Sequence, residues 1–203
     1  MNWRNAWGPV VPRPAGLDWL RTVGGAAFGL ALATLVVLLD ERFAPQLPLH
    51  LFAPLGATAV LVFAVPTSPL AQPFSCVVGN TVSAVWALLV LHALPAAWWP
   101  AVAVAGAIGL MLATRSLHPP GGAVALLLAL PPERTRATPG PWLVLQGGLM
   151  TAVLVGAGVA YHHATGRRYP HHASAHGRPA APRLAPGPVH GRPAAPRLAP
   201  GPV

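Results

Sequence analysis

Six apolar segments, separated by short stretches rich in proline, glycine or charge, run along most of the chain. Four of them are close to the about 20 residues that a membrane-spanning helix needs: residues 19–39, 74–94, 98–114 and 142–161. Two are shorter and end against proline, at residues 52–65 and 121–130. Short apolar segments of this kind are typical of half-helices or re-entrant segments. The pattern therefore predicts an all-α membrane protein with four membrane-spanning helices and two short half-helix or re-entrant segments.

The charged residues are too few to cover a water-exposed surface. Four acidic and 13 basic side chains amount to 8% of the chain, whereas a soluble domain has about 25%. No charged residue occurs between Arg42 and Arg115. Only a bilayer solvates a segment of that composition, which excludes a soluble enzyme. Because no P-loop, Ser–His–Asp set or intramembrane pair of carboxylates appears, we expect neither enzymatic activity nor a cofactor.

The chain divides into three parts. Residues 1–17 are a predicted cytoplasmic N-terminal segment, and residues 18–163 are the predicted transmembrane domain. Residues 164–203 are rich in arginine, proline and histidine, and one 14-residue sequence occurs there twice, at 176–189 and 190–203. A composition with so few large apolar side chains cannot build a core, so this part is predicted to be a disordered tail.

Most of the arginines lie near the two ends of the chain, and the formal net charge is +9. Charge that flanks membrane segments is first of all an orientation signal, so we expect the lipid bilayer as partner and no nucleic acid. The placement predicts a multi-pass protein of the bacterial inner membrane with both termini in the cytoplasm.

The two halves of the membrane part resemble each other. Residues 54–61 align with residues 120–127 at an offset of 66, and residues 73–85 align with 141–153 at an offset of 68. We interpret this as an internal repeat; chance matches among alanine, glycine and valine are the alternative. Four crossings would give parallel halves and place loop 95–97 in the cytoplasm, whereas six would give inverted halves and place it outside. Segment length favours four.

The most distinctive local sequence covers residues 115–123. Arg115 follows 72 uncharged positions, and a charge at the bilayer centre costs about 2.5–3.5 kcal/mol. It therefore faces a cavity or partner, unless it lies at a helix end and extends to the interface. The two prolines keep the preceding residue extended and start a helix, whose first amides attract anions. The predicted anion site contains Arg115, His118, Pro119, Pro120, Gly121 and Gly122.

The matching short segment offers a second helix start, at Pro54, Gly56 and Thr58. Two such starts facing each other near the middle of the membrane, with Arg115 beside them, would form an anion-selective site. The alternative is that the glycines only allow close helix packing.

Other polar side chains leave alternatives open. Asn80 and Gln72 either line a pore or bond to neighbouring helices. His118 is placed where its titration would matter to transport, although a structural role is equally consistent. Several histidines cluster after the last apolar segment without a cysteine or carboxylate, so we expect no metal site.

Three motifs carry a resemblance to a known family. The sequences at residues 53–57, 68–73 and 118–123 together resemble the HPP family of integral membrane proteins, and the likeness covers residues 15–163. The resemblance implies four membrane-spanning helices and a transport activity. Some plant and cyanobacterial members are implicated in nitrite transport, whereas most bacterial members have no assigned function.

We therefore expect an integral membrane transporter or channel for a small inorganic anion such as nitrite. The alternative is a membrane scaffold that transports nothing. Because four helices make a thin wall around a pore, we also expect a homo-oligomer.

Overall fold

The computed structural model describes residues 13–39, 52–130 and 139–171, and these residues form α-helices and no strand. Short 3-10 turns at Pro69–Ala71 and Ala96–Trp98 precede the third and fourth helices. The predicted all-helical fold is confirmed, and each helix begins and ends within three residues of its apolar segment. The six helices are α1 (Asp18–Leu39), α2 (Phe52–Ala64), α3 (Pro73–Ala93), α4 (Trp99–Ala113), α5 (Pro119–Ala129) and α6 (Gly140–Ala164).

Proline sets the start of four of these helices. Each of α3, α4, α5 and α6 carries proline in its first two positions, where the missing amide hydrogen costs nothing and the fixed φ favours a helix. In α5, His118 is the N-cap with extended backbone, at φ −143° and ψ 104°, and Pro119 follows. Because the residue before proline disfavours helical ψ, His118 stays outside the helix, as the sequence predicts.

Three helices, α1, α3 and α6, are long and apolar enough to cross a membrane. At about 1.5 Å per residue, α3 is about 31 Å long, which matches the about 30 Å of a bilayer core. The fourth apolar segment, in contrast, yields a helix of 15 residues, which extends about 22 Å. Four membrane spans are therefore not confirmed. As predicted, α2 and α5 are short, with 13 and 11 residues.

The directions of the helices follow from residues that meet at two levels. Asn80 bonds to Thr151, and Leu88 lies against Gly140, so α3 and α6 are antiparallel. Gly79 lies against His118 and Ser83 against Gly121, so α3 and α5 are parallel. Trp86 lies against Gly106 and Gly79 against Met111, so α3 and α4 are antiparallel. Val62 lies against Gly158, and Pro54 shares a cavity wall with Thr151, so α2 and α6 are parallel.

Close approach of α1 to α2 and α6 depends on two glycines. A Cβ atom built on Gly25 would lie 2.5 Å from a ring carbon of Phe63 and 2.8 Å from one of Tyr161. On Gly29 it would lie 2.8 Å from a methyl group of Leu154. Small residues at such crossings are typical of membrane helices, which gain stability by close packing. The order of these contacts makes α1 antiparallel to α6.

Consecutive helices thus alternate in direction, and α1 begins where α6 ends. We call this side of the bundle the terminal end; Arg167 and Asp18 form an ion pair of 2.7 Å there. Loop 95–97, between α3 and α4, lies at the opposite end. That is the position expected for six alternating helices with inverted halves, not for the four crossings that segment length favoured. The reason is that α2 and α5, although short, each continue the up-and-down order. The internal repeat itself stays a prediction.

Both short helices begin near the middle of α3, whose central residue is Ser83. A Cβ atom on Gly121, in the first turn of α5, would lie 2.7 Å from Ser83 Oγ. Pro54, in the first turn of α2, shares a cavity wall with Asn80 and Ala84 of α3. From this middle level α2 runs toward the terminal end and α5 runs away from it.

Both the core and the outer surface of the helix bundle are apolar. One buried cluster joins α2, α3 and α6 through residues such as Phe63, Cys76 and Leu154, and a second joins α3, α4, α5 and α6 through residues such as Ala87, Ala107 and Leu128. Many large apolar side chains nevertheless point outward, as a lipid-facing surface requires. Examples are Phe28, Leu35, Val60, Leu89, Leu112 and Leu149.

Residues 165–171, which belong to the predicted tail, pack onto the helices. Tyr169 is 1% exposed and its hydroxyl donates to the carbonyl of Ala71 at 2.7 Å. The amide of His171 donates to Gln72 Oε1 at 2.7 Å, and Gln72 Nε2 donates to the carbonyls of Pro66 and Ser68. The segment after α6 thus holds the loop between α2 and α3. Residues 172–203, with the duplicated sequence, and residues 1–12 lie outside the described residues.

Candidate functional site

His118 is completely buried where α5 begins, and both of its ring nitrogens have partners. Nδ1 lies 2.8 Å from the carbonyl of Leu70, in the loop between α2 and α3. Nε2 lies 3.0 Å from Thr58 Oγ1 in α2, and that hydroxyl is also 3.0 Å from the carbonyl of Pro54. The structure therefore brings together three of the predicted site residues, His118, Thr58 and Pro54.

This chain of contacts satisfies two protonation states of His118. A carbonyl can only accept, so Nδ1 carries a hydrogen. In the neutral ring, Nε2 accepts from the Thr58 hydroxyl. In the charged ring, Nε2 donates to Thr58 Oγ1, and the hydroxyl donates to the carbonyl of Pro54. In either state, Thr58 connects His118 with the first turn of α2.

The two glycines after Pro120 differ in their surroundings. A Cβ atom on Gly121 would lie 2.7 Å from Ser83 Oγ, 2.9 Å from Met111 Sδ and 3.0 Å from the carbonyl oxygen of Gly79. Gly121 is therefore packed tightly between α3 and α4. On Gly122, the same atom would meet nothing within 4 Å. Only Gly122 of the pair leaves the α5 backbone open to approach.

Arg115 lies at the end of α4 in an unusual backbone conformation. Its φ is +57°, and it is the non-glycine residue with positive φ in the described chain. The amide of Ser116 donates to Met111 and that of Arg115 to Leu112, both at the end of α4. This is the Schellman arrangement, in which the left-handed residue is usually glycine. The Arg115 side chain is exposed, as expected for a cation that extends from a helix end.

A small cavity lies between α2, α3, α5 and α6, with a volume of about 20 Å³, enough for about one water molecule. Two of the predicted site residues, Pro54 and Asn80, form part of its wall. Its α5 wall comes from Val124 and Leu128, so the first turn of α5 does not reach it. The full lining is Pro54, Leu55, Asn80, Ala84, Val124, Leu128, Leu143, Gly147 and Thr151.

Asn80 is 3% exposed, and the two ends of its amide are in different environments. Nδ2 donates to Thr151 Oγ1 at 3.1 Å, and the Thr151 hydroxyl donates to the carbonyl of Gly147 at 2.8 Å. Oδ1 has no hydrogen-bond partner among the described residues. Because Thr151 uses its hydrogen on Gly147, it can only accept from Asn80, which fixes Oδ1 as the free end. Asn80 thus bonds a neighbouring helix and also lines the cavity.

The first turns of α2 and α5 therefore do not line one shared cavity, as the anion-site prediction requires. The α5 start is filled by Thr58, Ser83 and Met111, whereas the cavity adjoins the α2 start. Gly56, on the other face of α2, would meet no atom within 4 Å of an added Cβ. Pro119 is exposed and Pro120 is buried.

Two further buried polar side chains lie in α6: Gln146, which the sequence did not single out, and His162, which belongs to the histidine cluster after the last apolar segment. Gln146 is 0% exposed, and neither its Oε1 nor its Nε2 has a partner in the described part of the chain. His162 is 2% exposed and its Nε2 contacts the carbonyl of Val62 at 2.9 Å. For Gln146 the available signal was a polar residue within the apolar segment 142–161, whereas His162 directly follows that segment. Within residues 13–39, 52–130 and 139–171, no group of three or more possible metal ligands occurs.

Together, the helices with outward-facing apolar side chains and the uncharged polar layer at mid-depth define an all-α membrane protein. Comparison with known proteins gives the family. Residues 11–170 match the family described as HPP, transmembrane region. The chain therefore belongs to the HPP family, and the resemblance predicted from three motifs is confirmed.

Two transmembrane proteins of Dictyostelium discoideum are similar to this chain. One is 38% identical over 133 residues, which are 62% of this chain and 45% of the relative. Another is 37% identical over 161 residues, which are 76% of this chain and 50% of the relative. The chain thus spans about half the length of these curated relatives. No solved structure matches. The relatives' names support a membrane location and mention no substrate.

Proposed function

We propose that this HPP family protein is a transporter or channel for a small inorganic anion such as nitrite, and that it acts without a cofactor and without catalysing a reaction. The observation that carries the proposal is the placement of the two short helices. Both α2 and α5 begin near the middle of α3 and run in opposite directions. Helix starts at this depth, on interrupted helices, are typical of substrate sites in transporters.

Electrostatics supports an anion rather than a cation. The first-turn amides of a helix carry roughly half a positive charge in total, and this charge is weakly screened inside a bilayer. No carboxylate occurs among the described residues of α2 to α6. Gly122 leaves the α5 backbone open, and Arg115 adds a full positive charge three residues before His118.

The described arrangement is closed. The cavity holds about 20 Å³, whereas nitrite has three heavy atoms, so passage requires α2 or α5 to move. His118, at the start of α5, is bonded to α2 through Thr58. Separation of this pair is the proposed opening step.

Orientation is part of the proposal. Asp18, Arg21, Arg167 and Arg168 lie close to the terminal end, because they flank the start of α1 and the end of α6. Cationic residues concentrate on the cytoplasmic side of membrane proteins. Both termini are therefore assigned to the cytoplasm, in a bacterial inner membrane. The protein is further proposed to assemble as a homo-oligomer, which chemical crosslinking in native membranes tests.

Purified protein in liposomes tests the function directly. Nitrite uptake should exceed that of empty vesicles and should fall in Arg115→Gln and Gly122→Leu. Gly109→Leu is the matched control, because a Cβ atom on Gly109, like one on Gly122, meets nothing within 4 Å. Gly121→Leu is unsuitable, since its clashes with Ser83, Met111 and Gly79 would destabilise the fold whether or not the protein transports nitrite. Nitrite uptake equal to that of empty vesicles would reject transport of nitrite.

A non-transporting scaffold is the second candidate. The tight contacts of Gly79 and Gly121 favour it, because they show glycines used for packing. A scaffold predicts no protein-dependent flux of nitrite, nitrate, chloride or formate, so the same liposomes separate the two functions.

A further inference from the structure

Two neighbouring carbonyl groups in the loop between α2 and α3 are bonded to two distant parts of the chain. The carbonyl of Leu70 accepts from His118 Nδ1 at 2.8 Å, at the start of α5. The carbonyl of Ala71, the next residue, accepts from the Tyr169 hydroxyl at 2.7 Å, in the segment after α6. Because both carbonyls belong to one short 3-10 turn, Pro69–Ala71, the turn cannot rotate without moving both of them.

Hydrogen bonds within this loop fix its shape. Ser68 Oγ accepts from the amide of Leu70 at 3.2 Å, and the Ser68 carbonyl accepts from Gln72 Nε2 at 2.8 Å. These bonds join residues of the loop itself, so they do not determine where the turn lies relative to α5. That position depends on contacts from outside the loop, and Ser75 of α3 and Tyr169 supply two of them.

The contact from Tyr169 lies in the core of the bundle. The tyrosine is 1% exposed and packs in the buried cluster that contains Phe63 and Cys76. Its ring centroid lies 5.2 Å from that of His162. Ala71 is completely buried, so its carbonyl cannot exchange the tyrosine hydroxyl for water. Loss of this hydroxyl therefore removes a bond that the solvent does not replace.

The Leu70 carbonyl decides which nitrogen of His118 carries the hydrogen when the ring is neutral. A carbonyl can only accept, so its contact with Nδ1 places the hydrogen there and leaves Nε2 to accept from the Thr58 hydroxyl. If the carbonyl moved away, the form with hydrogen on Nε2 would gain weight, because Thr58 Oγ1 can accept as well as donate.

We infer that Tyr169 is a positioning residue for His118. Its bond to Ala71 holds the neighbouring carbonyl of Leu70 against Nδ1, and this keeps Nε2 as the acceptor for Thr58 in the closed arrangement. The segment after α6 thereby stabilises the contact between α2 and α5. The consequence for flux rests on the proposed transport function, whereas the consequence for the histidine ring does not.

NMR of protein labelled with ¹⁵N-histidine measures the ring directly, because imidazole nitrogens with and without hydrogen differ in chemical shift. The signals of His118 are those that disappear in His118→Gln. At a pH where the ring is neutral, the wild type should carry the hydrogen on Nδ1. In Tyr169→Phe, which removes only the hydroxyl, the ratio of the Nδ1–H form to the Nε2–H form should fall about 2- to 12-fold, as the loss of one hydrogen bond implies. Nitrite flux into liposomes should rise by the same factor, because the closed contact is weaker.

Tyr161→Phe is the matched control. Tyr161 also packs against Phe63, and its hydroxyl has no hydrogen-bond partner among the described residues. This variant should leave the tautomer ratio and the flux unchanged. Cys76, the single cysteine of the chain, is completely buried, so its failure to react with a maleimide confirms that a variant is folded.

The failures of the two proposals are distinguishable. Hydrogen on Nε2 in the wild type would overturn the positioning role, and this result does not depend on the folding of any variant. An unchanged ratio in folded Tyr169→Phe, or an equal fall in Tyr161→Phe, would also contradict it. A changed ratio without a rise in nitrite flux would refute the link to opening. No protein-dependent nitrite flux in any variant would reject the transport function and leave the effect of Tyr169 on His118 standing.

Discussion

Replacing Arg115 with glycine separates the conformational cost of a left-handed arginine from the role of its positive charge in the proposed anion site. Arg115 has φ +57° and occupies the left-handed position that ends α4. An L-residue with a Cβ atom pays roughly 1–2 kcal/mol for this conformation, whereas glycine pays none. Glycine also gives the unfolded chain extra freedom, which costs about 0.4–1 kcal/mol. The difference predicts that Arg115→Gly stabilises the folded protein by about 0.5–1 kcal/mol.

Gly166 supplies the reciprocal control. Its φ is +74°, it follows α6, and a Cβ atom built on it would meet nothing within 4 Å. Gly166→Ala therefore changes backbone energy without a clash and should destabilise by a similar amount. The free energy of unfolding is measured by titrating the protein in mixed micelles with a denaturing detergent. Destabilisation by Arg115→Gly, or no effect of Gly166→Ala, would refute the conformational argument.

Measuring nitrite flux in the same variants then shows whether the Arg115 side chain contributes to transport. If Arg115 attracts the substrate anion, Arg115→Gly should be more stable and yet transport more slowly, and Arg115→Lys, which restores the charge, should recover most of the rate. A faster or unchanged nitrite flux in Arg115→Gly would remove Arg115 from the proposed site. An arginine with only a structural role could be replaced by glycine with a gain in stability and no loss of flux.

Three further outcomes follow from the contacts. Gly121→Ala should cost about 1–3 kcal/mol through overpacking, whereas Gly122→Ala should fold normally, as thermal unfolding in detergent will show. Tyr169→Phe removes a buried hydrogen bond to Ala71 and should cost about 0.5–1.5 kcal/mol. Burial raises the pKa of the Tyr169 phenol from its ordinary value of 10.0. The stability it contributes is therefore present below that pH and falls as pH rises above it, and the alkaline loss should be smaller in Tyr169→Phe.

The elements of the fold were predictable because each depends on a local pattern. Six apolar segments and their prolines located all six helices to within three residues. The number of spans was less accessible: the apolar segment 98–114 favoured a fourth span, but α4 has only 15 residues. The left-handed Arg115 then turns the chain back toward α5. Alternation of direction depends on which helices pack together, and apolar periodicity carries no such information in a bilayer, where every face is apolar.

The sequence predicts the residues of the candidate site, but it does not predict which of them lie together in the folded protein. Proline and glycine at 119–122 reveal a helix start from sequence alone, but what fills the space before it depends on distant residues. Thr58 and Met111 occupy that space, and the open volume lies instead beside Pro54. Asn80 lines this volume, and Thr151, 71 residues away, decides that Oδ1 is the end of its amide without a partner. Because the Thr151 hydroxyl donates its hydrogen to the carbonyl of Gly147, it can only accept from Asn80, which fixes the orientation of the Asn80 amide. Which end of the buried Asn80 amide stays without a partner is thus set by a single long-range hydrogen bond.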